Sequence, residues 1–138
     1  MGKSGNQEEI GNRETSDRII GAAIAVHRAL GPGFLESVYE EALCVELLHV
    51  GLNFERQRPL AVRYRDVVVG EHRLDLLVAG TVIVELKAVS ELHDVHFAIV
   101  RSYMNALNLG DALILNFASM PLTIRRVGRG RAESFLIS

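Results

Sequence analysis

The sequence predicts an α/β domain whose elements run helix, helix, three strands, helix, two strands. Three observations carry this expectation. Two stretches between residues 16 and 51 repeat apolar side chains at helical spacing, short runs rich in Val, Ile and Leu follow between turn residues, and one more helical stretch separates the third run from the last two. The length of 138 residues, with 49% hydrophobic and 23% charged, fits one globular domain with a sizeable core and not a disordered chain.

Each element has a local cause. Residues 1–15 read as a flexible polar N-terminal tail ending at Thr15-Ser16-Asp17, a helix-capping signal, and residues 16–138 as a single domain. In "RIIGAAIAVHRAL", Ile19, Ile20, Ala23, Ile24, Val26 and Ala29 line one helical face. "GPG" at 31–33 stops that helix, since Gly31 suits a left-handed cap and Pro32 cannot continue the hydrogen-bond ladder. "LESVYEEALCVELLHVG" restarts the helical period with Leu35, Val38, Tyr39, Ala42, Leu43, Val45 and Leu47, and Gly51 ends it. Three strands come next, "LAVRYRDVVVG", "EHRLDLLVAG" and "TVIVELKAV", with turn signals at Asp66, Gly70 and Gly80. "HDVHFAIVRSYMNALNLG" returns to helical period, and "DALILNF" and "LTIRRV" read as the last strands.

Composition excludes several classes of function. The lone Cys44, on an apolar helical face, rules out an internal disulfide and fits a reducing cytoplasm. No apolar stretch reaches spanning length and the N-terminus is polar, so a soluble cytoplasmic protein with no membrane partner is expected. The net charge of -2 gives no global field that recruits nucleic acid, but it is unevenly spread. Residues 1–50 hold four basic and eight acidic side chains, and residues 51–138 hold eleven and nine, which leaves Arg125, Arg126, Arg129 and Arg131 as a local basic patch. Arg125 and Arg126 are thereby candidate substrate contacts; an Arg-rich solvated tail fits the pattern equally. Ser37 and Ser102 have no evident His and acid partners, which rejects a serine hydrolase. His93, Asp94 and His96 read as a helix start capped by Asp94 and not as a metal site, and His27 and His49 suit helix C-termini.

The chemistry-bearing feature is the pair of charges inside "TVIVELKAV". A run this apolar reads as a strand buried on both faces, where ionised side chains are rarely left without partners. Glu85 and Lys87 share a face with Ile83. If the turn at Ala79-Gly80-Thr81 has three residues, Asp75 lies opposite Glu85 on that face; a two-residue loop would set it opposite Val84. Two opposed carboxylates repel unless a proton or cation separates them, and their hard oxygens suit Mg²⁺ or Mn²⁺. A neighbouring lysine that orients or helps deprotonate an attacking water completes the equipment for metal-assisted phosphodiester hydrolysis. The plainer reading, a buried ion pair of Glu85 with Lys87 or Arg73, stands beside it. Only two of the fifteen basic residues are lysines, Lys3 and Lys87, so a compact ammonium at position 87 looks chosen.

Asp75 followed by Glu85-x-Lys87 resembles the bipartite site of the PD-(D/E)xK nuclease superfamily. "GPGFLESVY" resembles the signature of the bacterial GxxExxY proteins placed within it, with Gly33, Glu36 and Tyr39 at the named positions. The resemblance spans residues 16–127 and implies a restriction-endonuclease-like core, a central mixed sheet flanked by helices. It implies a metal-dependent nuclease in which Asp75, Glu85 and Glu36 bind the metal, Lys87 is catalytic, and Gln57 and Tyr39 line the cleft. The partner would be nucleic acid, with a homodimer or a protein partner plausible for so small a core. One position departs: Ile99 stands where relatives read Gln, beside the metal cleft. A catalytically inactive module of the same fold, binding nucleic acid or protein, is the alternative that this departure supports.

Overall fold

The structure, a computed structural model, describes residues 2–129, with side chains from residue 11 onward. Helices α1 (Gly2–Leu30) and α2 (Glu36–His49) precede strands β1 (Phe54–Tyr64), β2 (Val67–Val78) and β3 (Val82–Lys87). Helix α3 (Asp94–Leu107) then leads to β4 (Asp111–Asn116) and β5 (Thr123–Gly128). This is the order of elements expected from the apolar periodicity.

The first boundary differs. The chain is helical from Gly2, so the residues read as a tail up to residue 15 continue α1, and Thr15-Ser16-Asp17 lies inside the helix. The hydroxyls that were expected to cap turn back instead: Thr15 Oγ1 donates to Gly11 O at 3.0 Å and Ser16 Oγ to Arg13 O at 3.0 Å, a satisfaction that a mid-helix Ser or Thr finds within its own turn. Asp17 is held from outside by Arg126 at 2.6 Å.

The five strands form one sheet in the order β1-β2-β3-β4-β5. Neighbours are antiparallel except β3 and β4, which run parallel because α3 crosses over between them, so the sheet is mixed. Alternation along β3, β4 and the Leu76–Val78 end of β2 divides the core. Leu76, Val78, Val82, Val84, Leu86, Leu113 and Leu115 face α1 and α2, where Ile19, Ala23, Val26, Leu43 and Leu47 meet them. Leu77, Ile83, Ala112 and Ile114 face α3, against Val100, Tyr103 and Met104. Burial on both faces is why β3 and β4 read as continuous apolar runs. Each side chain fully withdrawn from water there contributes about 1.5–3 kcal/mol.

The hairpin of β1 and β2 outgrows this core. The two strands pair from Phe54–Val78 out to Tyr64–Val67, yet β3 accompanies β2 only from Leu76 to Val78. Residues 61–73 are accordingly exposed, forming a two-stranded ribbon closed by Arg65 and Asp66 at φ 51° and 65°, the left-handed pair that a tight hairpin turn demands.

Tyr39 pins the connection between α1 and α2. It is fully buried and stacks on Phe117 at 4.6 Å between ring centroids. Its hydroxyl donates to Gly31 O at 2.6 Å and accepts from Phe34 N at 3.1 Å, closing the GPG loop from both sides. Gly33 within that loop has φ 115°, a conformation L side chains rarely adopt. The expectation that Tyr39 lines the cleft is therefore corrected: its polar atom is used up by the loop and its ring by the core. Tyr39→Phe keeps the ring and strands both backbone groups, so it should lower stability by about 1–3 kcal/mol in a urea melt while the fold persists. An unchanged midpoint would show that the loop is held by other means.

Candidate active site

The site forms where β2 and β3 stop pairing. Val78 opposes Val82 across Ala79, Gly80 and Thr81, so the connection has three residues, with Ala79 and Gly80 at φ 54° and 69°. In this register Asp75 stands opposite Glu85. The last regular pair is Leu76–Val84, and beyond it the two acids replace the ladder: Asp75 N donates to Glu85 Oε2 at 2.8 Å, and Leu86 N donates to Asp75 Oδ2 at 2.8 Å. One oxygen of each carboxylate holds the opposite strand.

The neighbouring strand bends at the same level. The pairing of β1 with β2 skips Gln57 and Asp75 between Arg56–Leu76 and Arg58–Leu74, and Gln57 adopts φ 51°, a costly conformation for a non-glycine residue. The alternation of β2 slips there too, since Leu74 packs on the α3 side although Leu76 packs on the other. Gln57 is held in place by its amide, which donates to both oxygens of Glu40 at 3.0 and 3.2 Å and reaches Asp75 Oδ1 at 3.4 Å. Glu40 is buried and also accepts from Arg56 at 3.1 Å. A chain of polar contacts thus runs from α2 through Gln57 to Asp75. Sequence reasoning missed Glu40, whose one available signal was its place one helical turn after Glu36.

Burial and mutual repulsion set the electrostatics. Glu85 is 7% exposed, and its carboxyl is pushed up to about 8, first by burial and then by the charge of Asp75. Asp75 is pushed up to about 6, again by burial first, with Glu40 and Glu36 adding to the rise. The backbone N–H each accepts and the ammonium of Lys87 pull the other way and do not win. The charge of Glu36, at the start of α2, is felt by both acids and by His96 of α3, whose pKa burial, Lys87 and His93 hold below the usual histidine value. Tyr103 of α3 has its phenol raised to about 12 by burial and by the charges of Glu85 and Asp75. Among the described residues no salt bridge joins Glu85 to Lys87 or to Arg73, which instead pairs with Glu71 at 3.6 Å. The plain buried ion pair is not formed.

Other candidates are placed elsewhere. Arg126 donates to Asp17 at 2.6 Å and to Ser16 Oγ at 2.7 Å, tying β5 to α1. Arg125 leaves the opposite face of the strand, exposed, and bonds only Ile124 O at 3.3 Å, while Arg129 reaches Asn105 and Asn108 at the end of α3. The arginines thus do not form one surface, and Arg131 lies outside the described residues. The cap of α3 is His93 and not Asp94: His93 N donates to His96 Nδ1 at 3.0 Å, and Asp94 is the first helical residue. His27 is buried, its Nε2 2.9 Å from Ser119 O. The thiol of Cys44 is pushed up to about 11, chiefly by burial, as suits an inert core group.

The donor set fits a small hard cation. Two carboxylates that resist joint ionisation gain from a divalent ion between them. Among the described residues no three His, Cys, Asp or Glu side chains form a closed metal cluster, and Mg²⁺ is commonly held by one or two carboxylates plus water.

A mixed five-stranded sheet between helices, carrying acids where two central strands part, defines a restriction-endonuclease-like α/β protein. The model of the PD-(D/E)XK nuclease superfamily matches residues 13–127, and the chain belongs to that superfamily. The solved structure of SSO0001 is similar at 13% identity and a TM-score of 0.48, covering 86% of this chain and 70% of that one. No curated protein sequence matches the chain.

The raised carboxyls make stability depend on pH. Both folded-state values lie above those of unfolded carboxylates, so the folded protein binds more protons between about pH 4 and pH 8 and loses stability as the pH climbs through that window. Without divalent metal, the melting temperature should fall from pH 5 to pH 8.5, and Glu85→Gln should flatten that fall. A wild-type profile that rises across the same range would refute the repulsive pair.

Proposed function

We propose that this protein is a metal-dependent nuclease that hydrolyses phosphodiester bonds of nucleic acid using Mg²⁺ or Mn²⁺. The observation that carries the reading is the opposition of Asp75 and Glu85 at the end of their ladder, with Lys87 two residues further along the same strand. "GPGFLESVY", whose Glu36 charge is felt by both acids, supports placing the chain among the GxxExxY proteins of the superfamily.

Asp75 and Glu85 would hold the ion through the oxygens that their backbone contacts leave over, with Glu36 assisting from α2. Once bound, the ion supplies Lewis-acid stabilisation of the charge that grows on the phosphate. Lys87 acts on the attacking water, orienting its lone pair toward phosphorus and easing removal of its proton. As the water oxygen bonds to phosphorus it gives up its proton to bulk water, the bond from phosphorus to the leaving ester oxygen breaks, and that oxygen takes up a proton from bulk water. Gln57 positions Asp75, and Glu40 positions Gln57. No helix among the described residues is long and apolar enough to cross a membrane.

Two measurements test the assignment. Calorimetric titration with Mn²⁺ should give a binding signal that Glu85→Ala abolishes; equal binding by both proteins would place the metal elsewhere. Lys87→Arg keeps the charge but not the compact donor, and guanidinium is effectively never deprotonated. Cleavage of single- and double-stranded DNA and RNA with Mn²⁺ should drop about 100-fold or more in this variant, the scale of a lost proton-transfer group. Undiminished cleavage would remove Lys87 from the mechanism, and no cleavage by metal-loaded wild type on any substrate would favour the binding-module reading.

A further inference from the structure

A cleft of about 370 Å³ opens between the projecting hairpin and α3. Leu60, Val62 and Arg63 of β1 and His72 of β2 form one wall, and Ile99, Ser102, Tyr103 and Ala106 of α3 the other. Leu60, Ile99 and Tyr103 of these walls pack in the apolar cluster that also holds Leu74, next to Asp75 in β2, and Ile83, which shares a face of β3 with Glu85. The cleft thus opens on the face of the sheet to which Glu85 points.

We propose that this cleft binds one unpaired nucleobase of the strand being cleaved, so that the enzyme takes single-stranded nucleic acid or strands that fray open. The inference rests on the reading of Asp75, Glu85 and Lys87 as a hydrolytic centre and adds the substrate's form. Size is the first argument. The volume is at the small end of ligand pockets, room for a single nucleotide and far too little for a base pair with its two backbones. Wall chemistry is the second. Leu60, Val62, Ile99 and Ala106 give the apolar faces that a flat base prefers, and the rings of His72 and Tyr103, 6.0 Å apart and steeply inclined, add an aromatic edge. In a duplex that surface would meet phosphates and sugars, for which it is unsuited.

Polar groups are few and suitably spread. The ring of His72 meets the Tyr103 hydroxyl at 3.3 Å, and Ser102 Oγ donates to Ala98 O at 3.2 Å while keeping lone pairs free to accept from a base edge. Arg63, the arginine that lines the cleft, makes no salt bridge among the described residues. A guanidinium left uncompensated at the lip of an apolar cleft complements the phosphate that accompanies an inserted base. Ile99 contributes an apolar wall where an amide would have offered hydrogen bonds, which favours stacking over selection of one base.

The test compares binding and cleavage. Fluorescence anisotropy with a labelled 15-nucleotide single strand and the blunt duplex of the same sequence, in EDTA, should show the strand bound at least ten-fold more tightly. Ala106→Trp fills the cleft from an exposed helical position, and should weaken single-strand binding about ten-fold while leaving duplex binding and the thermal melt unchanged. Equal affinity for strand and duplex, or undiminished single-strand binding by a folded Ala106→Trp, would overturn the proposal. Should that variant not fold, wild type photocrosslinked to a strand carrying 5-iodouracil decides: adducts at Tyr103 or His72 support the cleft, and adducts confined to other residues refute it. The two readings fail separately. Cleavage lost in Lys87→Arg but unchanged in Ala106→Trp sinks the cleft alone, whereas a cleft-dependent single-strand affinity with no cleavage on any substrate sinks hydrolysis alone.

Discussion

The register of the β2–β3 hairpin is the constraint on which this molecule's site depends. A connection of three residues sets Asp75 against Glu85, and one residue fewer would set Asp75 against Val84 and scatter the charges to opposite faces. The register is held because both faces of β3 are buried, so a slip would expose an entire apolar set. Core packing therefore fixes the geometry of two groups that repel each other. The carboxylates in turn serve the fold, each closing a backbone N–H where the ladder gives out.

That arrangement places a cost at the end of the hairpin. Two acids with raised pKa values, a glutamine held at positive φ and a slip in strand alternation coincide within a few residues. Such a concentration of unfavourable features persists only where the surroundings over-determine it. Here Glu40 holds Gln57 from α2, the apolar layers hold β3, and α3 closes over the other side with Tyr103. Elsewhere the polar links are paired and satisfied: Tyr39 closes the GPG loop, and Arg126 fastens β5 to α1.

The contrast between the ends of the sheet is informative. The β1–β2 ribbon projects beyond its neighbours with Val62, Tyr64, Val67, Val68 and Val69 exposed, while Arg126 of β5 and Arg129 just after it bind that edge back to α1 and α3. Arginines that are adjacent in sequence point apart because a strand alternates faces. A cluster of like charges along a strand is thus divided by the backbone between two surfaces, and only position in the sheet tells which members remain accessible.

Much of this was legible in the sequence, and for identifiable reasons. The periodicities of 3.6 and 2 gave the order of helices and strands, the dense apolar run marked β3 as doubly buried, and the charges at Glu85 and Lys87 stood out against it because ionised groups there need a purpose. The first two strands were misplaced, since "LAVRYRDVVVG" straddles the turn at Arg65-Asp66, β1 begins at Phe54 and Gly70 lies within β2. What failed was local: Thr15-Ser16-Asp17 satisfied itself within α1, and His93 took the cap that Asp94 seemed to offer, since either conformation obeys the same local preferences. Only the tertiary structure decided the hairpin register, the burial that raises Asp75 and Glu85, the bridge from Glu40 through Gln57, and the cleft between His72 and Tyr103. These depend on residues far apart in the chain meeting in space, and sequence alone determines which groups are present, not the distance or the dielectric between them.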